Sequence, residues 1–264
     1  SAWHNMKRMA PEQIKPWLAH YAPQDAAFHK AKLSGKDLVR WKFQRYAKNY
    51  LRCVKGVDES VERLQQELNK LGLDQNTIVI YSSDQGFYIG DHGWYDKRWM
   101  YEESLKMPLI VKWPGVIKPG SRRTELVQNL DYAQTFLEIA EAPQPKDMQG
   151  LSLVPLLKGE QPKDWRKEIY YHYYEYPSVH MIPRHYGIRT RRYKLMHFYQ
   201  FGEQWEFYDL KNDPDELSNI YGQKIHLKLQ NRLKQRLKNL QKSYEDKSDI
   251  SIRKDYFQQF WKKS

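Results

Sequence analysis

Residues 78–104 read IVIYSSDQGFYIGDHGWYDKRWMYEES, and this stretch decides the fold class. Ile78 to Tyr81 form a short β-branched apolar run that stops at polar residues and Gly86. Such a run following a helical segment predicts a buried parallel strand in a βαβ arrangement. PLIVKWPG (108–115) reads as a second core strand closed by Pro-Gly. In α/β folds, ligands collect at the carboxyl ends of strands, where loops expose backbone and side chains. Asp84 and Gln85 stand at that position.

A carboxylate beside an amide carbonyl offers two hard oxygens, which suits Ca²⁺ or Mg²⁺ better than Zn²⁺. Gly86 and Gly90 allow sharp turns, and Lys97 follows between Asp96 and Arg98. A metal next to a lysine and an arginine makes an electrostatic clamp for a group that gains negative charge during reaction. A polar loop with Asp84 as a turn residue accounts for the same residues equally well, so both readings stay open on these residues alone.

Upstream, the pattern is helical from about Asp37 to Leu71, with Gly72 in a C-cap position. Val54, Val57, Val61, Leu64, Leu68 and Leu71 recur at spacings of three and four, the signature of a buried helical stripe. Cys53, the single cysteine, therefore reads as a structural thiol near a core face; it has no partner for an internal disulfide. The first 35 or so residues are weakly periodic and predict short helices or a wandering connection. Downstream, Asp131 caps a helix, DYAQTFLEIA (131–140), with Ala133, Phe136, Leu137 and Ala140 on one side.

The character changes after GLSLVPLLKGEQPKDW. EIYYHYYEY (168–176), YGIRTRRYKLMHFY (186–199) and QWEFYDL (204–210) are closely spaced β-like runs and predict an antiparallel meander. A last amphipathic helix carries Ile225, Leu229, Leu233, Leu237 and Leu240. The expected architecture is α/β: residues 1–160 as part of a sheet domain, then residues 161–264 as a smaller α+β subdomain and tail.

Composition narrows the class. Among 264 residues, 40% are hydrophobic and 29% charged, a globular balance and not a disordered one. No apolar run approaches the roughly 18 residues that a membrane helix needs. The net charge of +12 fits either a polyanionic partner or lysines scattered over solvated helix faces such as QNRLKQRLKNLQK (230–242). No RNP-like motif, zinc-finger spacing or basic zipper points to nucleic acid.

Five segments together carry a resemblance: residues 78–104 above, PLIVKWPGVIKPG (108–120), QGLSLVPLLKGE (149–160), YGIRTRRYKL (186–195) and WEFYDLKNDPDELSNIYG (205–222). Their order and spacing resemble type I, formylglycine-dependent sulfatases, the bacterial enzymes acting on sulfated glycans above all. The resemblance implies the C-terminal part of an alkaline-phosphatase-like sulfatase sheet domain, followed by a subdomain with an antiparallel sheet and a C-terminal helix. It implies that Asp84 and Gln85 are calcium ligands and that Lys97 contacts the sulfate. His92 matches a histidine seen near the cleft. Asp96, Arg98 and His185 are implied to reach the sugar, possible substrates including 6-O-sulfated N-acetylglucosamine.

The family's nucleophile, a formylglycine, arises in a C/S-x-P-x-R motif, which these residues lack, as they lack the family's Asp-Asp calcium pair. The resemblance implies that both lie in an N-terminal half preceding this chain, with a signal peptide and a periplasmic or secreted location. The chain by itself is expected to be inactive. A phosphatase or phosphodiesterase of the same superfamily would call for further Asp and His metal ligands after the strand. A non-catalytic remnant or glycan-binding module keeps the sugar-facing surface alone.

Overall fold

The computed structural model describes residues 9–176 and 180–246. They fall into two compact units, residues up to Glu62 and residues from Arg63 onward. The first unit holds helix α1 (Pro11–Ala31) and most of helix α2 (Gly35–Lys70). In it Phe28 packs on Trp41 with ring centroids 4.4 Å apart, and Arg45 pairs with Asp25 at 2.9 Å. The expected short helices are thus one continuous helix, even though Pro16 and Pro23 each remove a backbone donor.

Helix α2 matches its expected span, and Gly72 follows it with φ of +67°, the left-handed geometry a C-cap glycine supplies. Its apolar stripe, however, is not buried. Val54 is 44% exposed, Leu64 52%, and Cys53 is exposed too. Periodicity makes a stripe, but burial needs a surface to press against it, and the described residues cover it only in part, leaving Val61 and Leu68 half-buried.

In the second unit, strand β1 (Val79–Ser82) pairs with strand β2 (Leu109–Lys112). The pairing is antiparallel, Val79 opposite Lys112 and Ser82 opposite Leu109, which corrects the expected parallel arrangement. The cause lies in the connection: the chain leaves β1 at Ser82 and re-enters β2 from that same end. A parallel partner would require a crossover back to the other end. Neither strand is fully buried, and Ile110 is 65% exposed.

Helix α3 (Glu102–Leu105) lies in that connection, and helix α4 (Asp131–Ile139) and helix α5 (Val154–Leu157) follow β2. The buried face of α4 is Asp131, Gln134 and Thr135, whereas Phe136 is 51% exposed, so the expected apolar face is corrected. Polar bonds decide the orientation. Asp131 pairs with Arg166 and accepts the backbone N–H groups of Gln128 and Leu151, both at 2.8 Å. Thr135 Oγ1 accepts the N–H of Leu153 at 2.8 Å and donates to the Asp131 carbonyl at 2.7 Å. A buried carboxylate must find such partners, and this need outranks the burial of one phenyl ring.

The expected meander is present as strands β3 (Glu168–Tyr173), β4 (His185–Thr190), β5 (Tyr193–Phe198) and β6 (Gln204–Asp209), antiparallel in sequence order. The run 186–199 supplies most of two strands because Arg191 and Arg192 turn between them. Alternate residues face opposite sides. Ile188, Leu195 and Phe207 meet Leu233 and Leu237 of helix α6 (Leu227–Ser243), with Leu229 and Leu240 beside them. Ile225 precedes α6 and is 85% exposed, unlike the rest of the expected stripe. On the other face, Met196, Phe198 and Tyr208 pack against Tyr88, Met100 and Tyr101. A Cβ at Gly187 would collide with the Met100 sulfur, so the glycine lets the 86–105 loop lie flat on the sheet. That contact holds the candidate site in place. No helix among the described residues is long and apolar enough to cross a membrane.

Candidate functional site

The loop leaving β1 is held by backbone bonds and not by side-chain bulk. Gly86 N–H donates to the Ser104 carbonyl at 2.8 Å, Tyr88 N–H to Asp96 at 2.8 Å and Gly90 N–H to Trp94 at 2.8 Å. A Cβ on Gly86 would run into the carbonyl of Glu103, so only glycine lets the loop approach α3 this closely. His92 has φ of +51° and Gly93 +80°, which reverses the chain towards Asp96. Ser104 Oγ donates to the Lys97 carbonyl at 2.6 Å and fixes the backbone on which Lys97 stands. Asn129 Nδ2 donates to the Asp84 carbonyl at 3.1 Å and does the same on the other side.

Asp84, Gln85 and Lys97 line one cavity of about 490 Å³, with Lys106, Asn129, Tyr132, Tyr171 and Arg189. Lys97 is half-buried, and its ammonium takes no hydrogen bond or ion pair among the described residues. Arg189, by contrast, is clamped by Glu102, at 3.2 and 2.9 Å. Glu102 also meets Lys194 Nζ at 2.9 Å. Burial works against the Glu102 charge, yet Arg189 and Lys194 overcome it and hold the pKa at about 2. The cavity therefore has an ionised, neutralised pair in its wall and, among the described residues, two cations without a partner, the half-buried Lys97 and the exposed Lys106.

The other four sequence-derived positions do not line that cavity. His92 stacks on Tyr101 with centroids 4.5 Å apart, and its Nε2 lies 3.6 Å from a Glu103 oxygen. Asp96 and Arg98 pair with each other at 2.5 Å, while the second Asp96 oxygen is buried without a hydrogen-bond partner. The Tyr171 hydroxyl donates to the Arg98 carbonyl at 2.7 Å. His185 is wholly buried between Trp99, Tyr171, Tyr173 and Phe198. Its Nδ1 lies 2.8 Å from the Pro183 carbonyl, so Nδ1 carries the proton and Nε2 is left bare. Burial pushes its pKa down to about 4, leaving the ring neutral.

For a metal, the donor chemistry fits and the donor count does not close. Asp84 and Gln85 contribute oxygens of the kind Ca²⁺ prefers, but Ca²⁺ takes about six to eight. Among the described residues no group of three or more His, Cys, Asp or Glu is arranged to hold a metal. The reading from sequence passed over Asn129, Lys106 and Glu102. Asn129 lies 45 positions from Asp84, and no local pattern announces a contact over that distance.

Comparison with known proteins places these features in context. Residues 11–142 match the family model described as sulfatase, and residues 90–243 match N-sulphoglucosamine sulphohydrolase, C-terminal. An N-acetylglucosamine-6-O-sulfatase from Bacteroides thetaiotaomicron is 49% identical over 242 residues, 91% of this chain and 43% of that protein. The human N-acetylglucosamine-6-sulfatase is 40% identical over 119 residues, 44% of this chain and 21% of that protein. A solved structure of a protein in complex with its substrate D-glucosamine-2-N,6-O-disulfate superposes with a TM-score of 0.84 at 48% identity. It covers 92% of this chain and 49% of that one. The chain thus spans about half the length of that structure and less than half of the curated relatives it matches.

Proposed function

Because the chain belongs to the sulfatase family, we propose that it forms the sulfate-binding side of a glycan sulfatase acting on 6-O-sulfated N-acetylglucosamine. The observation that carries this reading is the unpaired Lys97 ammonium in a cavity it shares with Asp84 and Gln85. An uncompensated, half-buried cation is costly unless an anion joins it. The names of the relatives, two of them N-acetylglucosamine 6-sulfatases, support the choice of sugar.

In this reading Asp84 and Gln85 would hold a calcium ion, which when bound supplies positive charge to the sulfate oxygens. Lys97 binds the sulfate and stabilises the charge that shifts onto the ester oxygen as the S–O bond lengthens. Its position is set from behind by Ser104, so little reorganisation accompanies the reaction. Asp96 and Arg98, sequence neighbours of Lys97 that lie outside the cavity, are held to each other and steady the backbone on which Lys97 stands, and His185 buttresses them through its stacking on Trp99. His92 lies within reach of Glu103 and holds the loop's reversal. The nucleophile is a formylglycine hydrate contributed from outside these 264 residues, together with the remaining calcium ligands. The complete enzyme works in the periplasm or outside the cell.

The test is Lys97→Ala in an enzyme that contains the nucleophile segment. kcat/KM for 6-sulfated N-acetylglucosamine falls by about two to three orders of magnitude, the scale for losing a transition-state charge partner. Thermal stability stays close to that of the parent, because no described side chain depends on the ammonium. Near-normal turnover would remove Lys97 from the site and with it the proposal.

A further inference from the structure

Helix α3 is a single turn of four residues, yet it props up the site from two sides. The Ser104 carbonyl accepts the Gly86 N–H at 2.8 Å, next to Gln85, and the Ser104 hydroxyl donates to the Lys97 carbonyl at 2.6 Å. A turn this short cannot hold itself, because nucleating a helix costs more than its first hydrogen bond returns. Its N-cap residue, Tyr101, makes no side-chain capping bond. What fixes α3 comes from elsewhere in the chain.

Glu102 is the anchor. Its backbone N–H, one of the donors a helix start leaves unpaired, is capped at 2.7 Å by Glu216, 114 positions away. Its carboxylate is held from the sheet by Arg189 and by Lys194, each at 2.9 Å. These two cations stand directly opposite each other on β4 and β5. Lys194 Nζ closes the circuit on Glu216, 2.9 Å from Oε2, the same oxygen that caps Glu102. Glu216 adopts φ of +51° to reach the cluster, a left-handed backbone that a residue with a Cβ rarely takes. Strain of this kind persists only where the surroundings hold it in place. Of the two acids, Glu216 is the one that changes charge near neutrality. Burial lifts its pKa to about 7 against the pull of Lys194, while Arg189 and Lys194 keep Glu102 at about 2. Tyr88 and Tyr208, which also feel the Glu216 charge, are pushed above their ordinary value by burial and stay protonated.

Resting on the reading of Lys97 as the sulfate-binding lysine, we propose that Glu216 is a positioning residue for the sulfatase reaction. It acts through Glu102 and helix α3 on Lys97 and on the loop bearing Asp84 and Gln85, and its ionised form is the competent one. A charge-assisted hydrogen bond is shorter and roughly twice as strong as a neutral one, so the Glu102 N–H is gripped hardest when Glu216 carries its charge. With a proton on Glu216, Lys194 is left with Glu102 alone and the cap on α3 slackens. Lys97 then loses its alignment with the sulfate, where small displacements weigh heavily on rate. The penalty for burying the charge falls on the whole fold, whereas the bonds it makes act on the site. Activity and stability therefore move in opposite directions as pH rises through about 7.

The experiment compares the parent, Glu216→Gln, Glu216→Asp and Lys97→Ala in an enzyme that contains the nucleophile segment. It reads kcat/KM for 6-sulfated N-acetylglucosamine across neutral pH, with a denaturation midpoint at each pH. Glutamine keeps an acceptor for the Glu102 N–H but carries no charge. The kcat/KM of the parent relative to Glu216→Gln rises about fivefold as pH passes through 7, the scale separating a charge-assisted from a neutral bond, while the parent's relative stability falls. A merely structural residue would move both readouts together. Glu216→Asp keeps the charge but shortens the side chain by a methylene, so it lowers kcat/KM about fivefold and retains a pH-dependent limb. A ratio to Glu216→Gln that stays constant, or falls as pH rises, overturns the positioning role. Parent-level kcat/KM in Glu216→Asp overturns it too, even if Glu216→Gln does not fold. Impaired Lys97→Ala together with either of these outcomes removes the role of Glu216 and spares the sulfate site. Near-normal turnover in Lys97→Ala overturns the sulfate site and this proposal with it.

Discussion

Lys194 Nζ lies 2.8 Å from a Glu216 carboxylate oxygen, and both side chains are sealed from water. The pair stands behind the cavity wall, because Lys194 also reaches Glu102 and Glu216 accepts the Glu102 backbone N–H at 2.7 Å. It links the sheet to the loop that carries Lys97. A buried pair of this kind is weak evidence for net stability, but each partner depends on the other.

Above pH 7, where Glu216 is ionised, Lys194→Met therefore destabilises the chain by about 3–5 kcal/mol, since it leaves that carboxylate buried without its counter-charge. Chemical denaturation measures the loss. A change within about 0.5 kcal/mol, the range of ordinary surface substitutions, would show that the pair is not buried as described.

Stability also depends on pH through Glu216. Burial raises its pKa from 4.5 to about 7, with Lys194 pulling in the opposite direction. A carboxyl that holds its proton more tightly when folded adds stability that is fully present below the unfolded value. That stability is lost as pH rises through the folded one. Between pH 4.5 and 7 the parent chain should lose stability relative to a Glu216→Gln variant. Denaturation midpoints of the two proteins at several pH values across that window check the sign. A widening advantage for the parent at higher pH would refute it.

Gly86→Ala disrupts the site from a distance. The added methyl meets the backbone of Glu103, which cannot swing aside as a side chain can, so the loop bearing Asp84 and Gln85 must shift. The cost is about 1–3 kcal/mol, typical of overpacking. Binding of 6-sulfated N-acetylglucosamine weakens together with stability, which calorimetry and a thermal melt read separately. Loss of stability with unchanged binding would mean that the loop's position does not matter to the site.

The chain by itself should bind calcium weakly and release no sulfate from an aryl sulfate or from 6-sulfated N-acetylglucosamine. Two oxygen ligands fall short of the roughly six to eight that Ca²⁺ takes. Cys53 lies on helix α2 in the sequence Arg-Cys-Val-Lys, without the proline and arginine of the modification motif. Sub-micromolar calcium affinity, or calcium-dependent sulfate release well above a Lys97→Ala control, would contradict a divided site.

The sequence by itself determined what local pattern can encode. The meander at 168–209 was legible because three β-like, Tyr-rich or basic runs follow one another at close spacing. The span of helix α2 was legible from its spacing and from Gly72. Asp84, Gln85 and Lys97 could be singled out because they follow a strand in a glycine-punctuated loop, and the resemblance to sulfatases rested on that loop together with four further segments in register. Tertiary structure alone decided which faces are buried and which residues meet. The stripe on α2 stays exposed because amphipathicity names a face and not its partner. Helix α4 turns its polar side inward because Asp131 finds Arg166, 35 positions away. The pairing of β1 with β2, the sealing of His185 among aromatic rings and the sharing of one ammonium by Glu102 and Glu216 are likewise contacts between distant segments. Their energies depend on distance and exclusion of water, which exist only once the chain has folded.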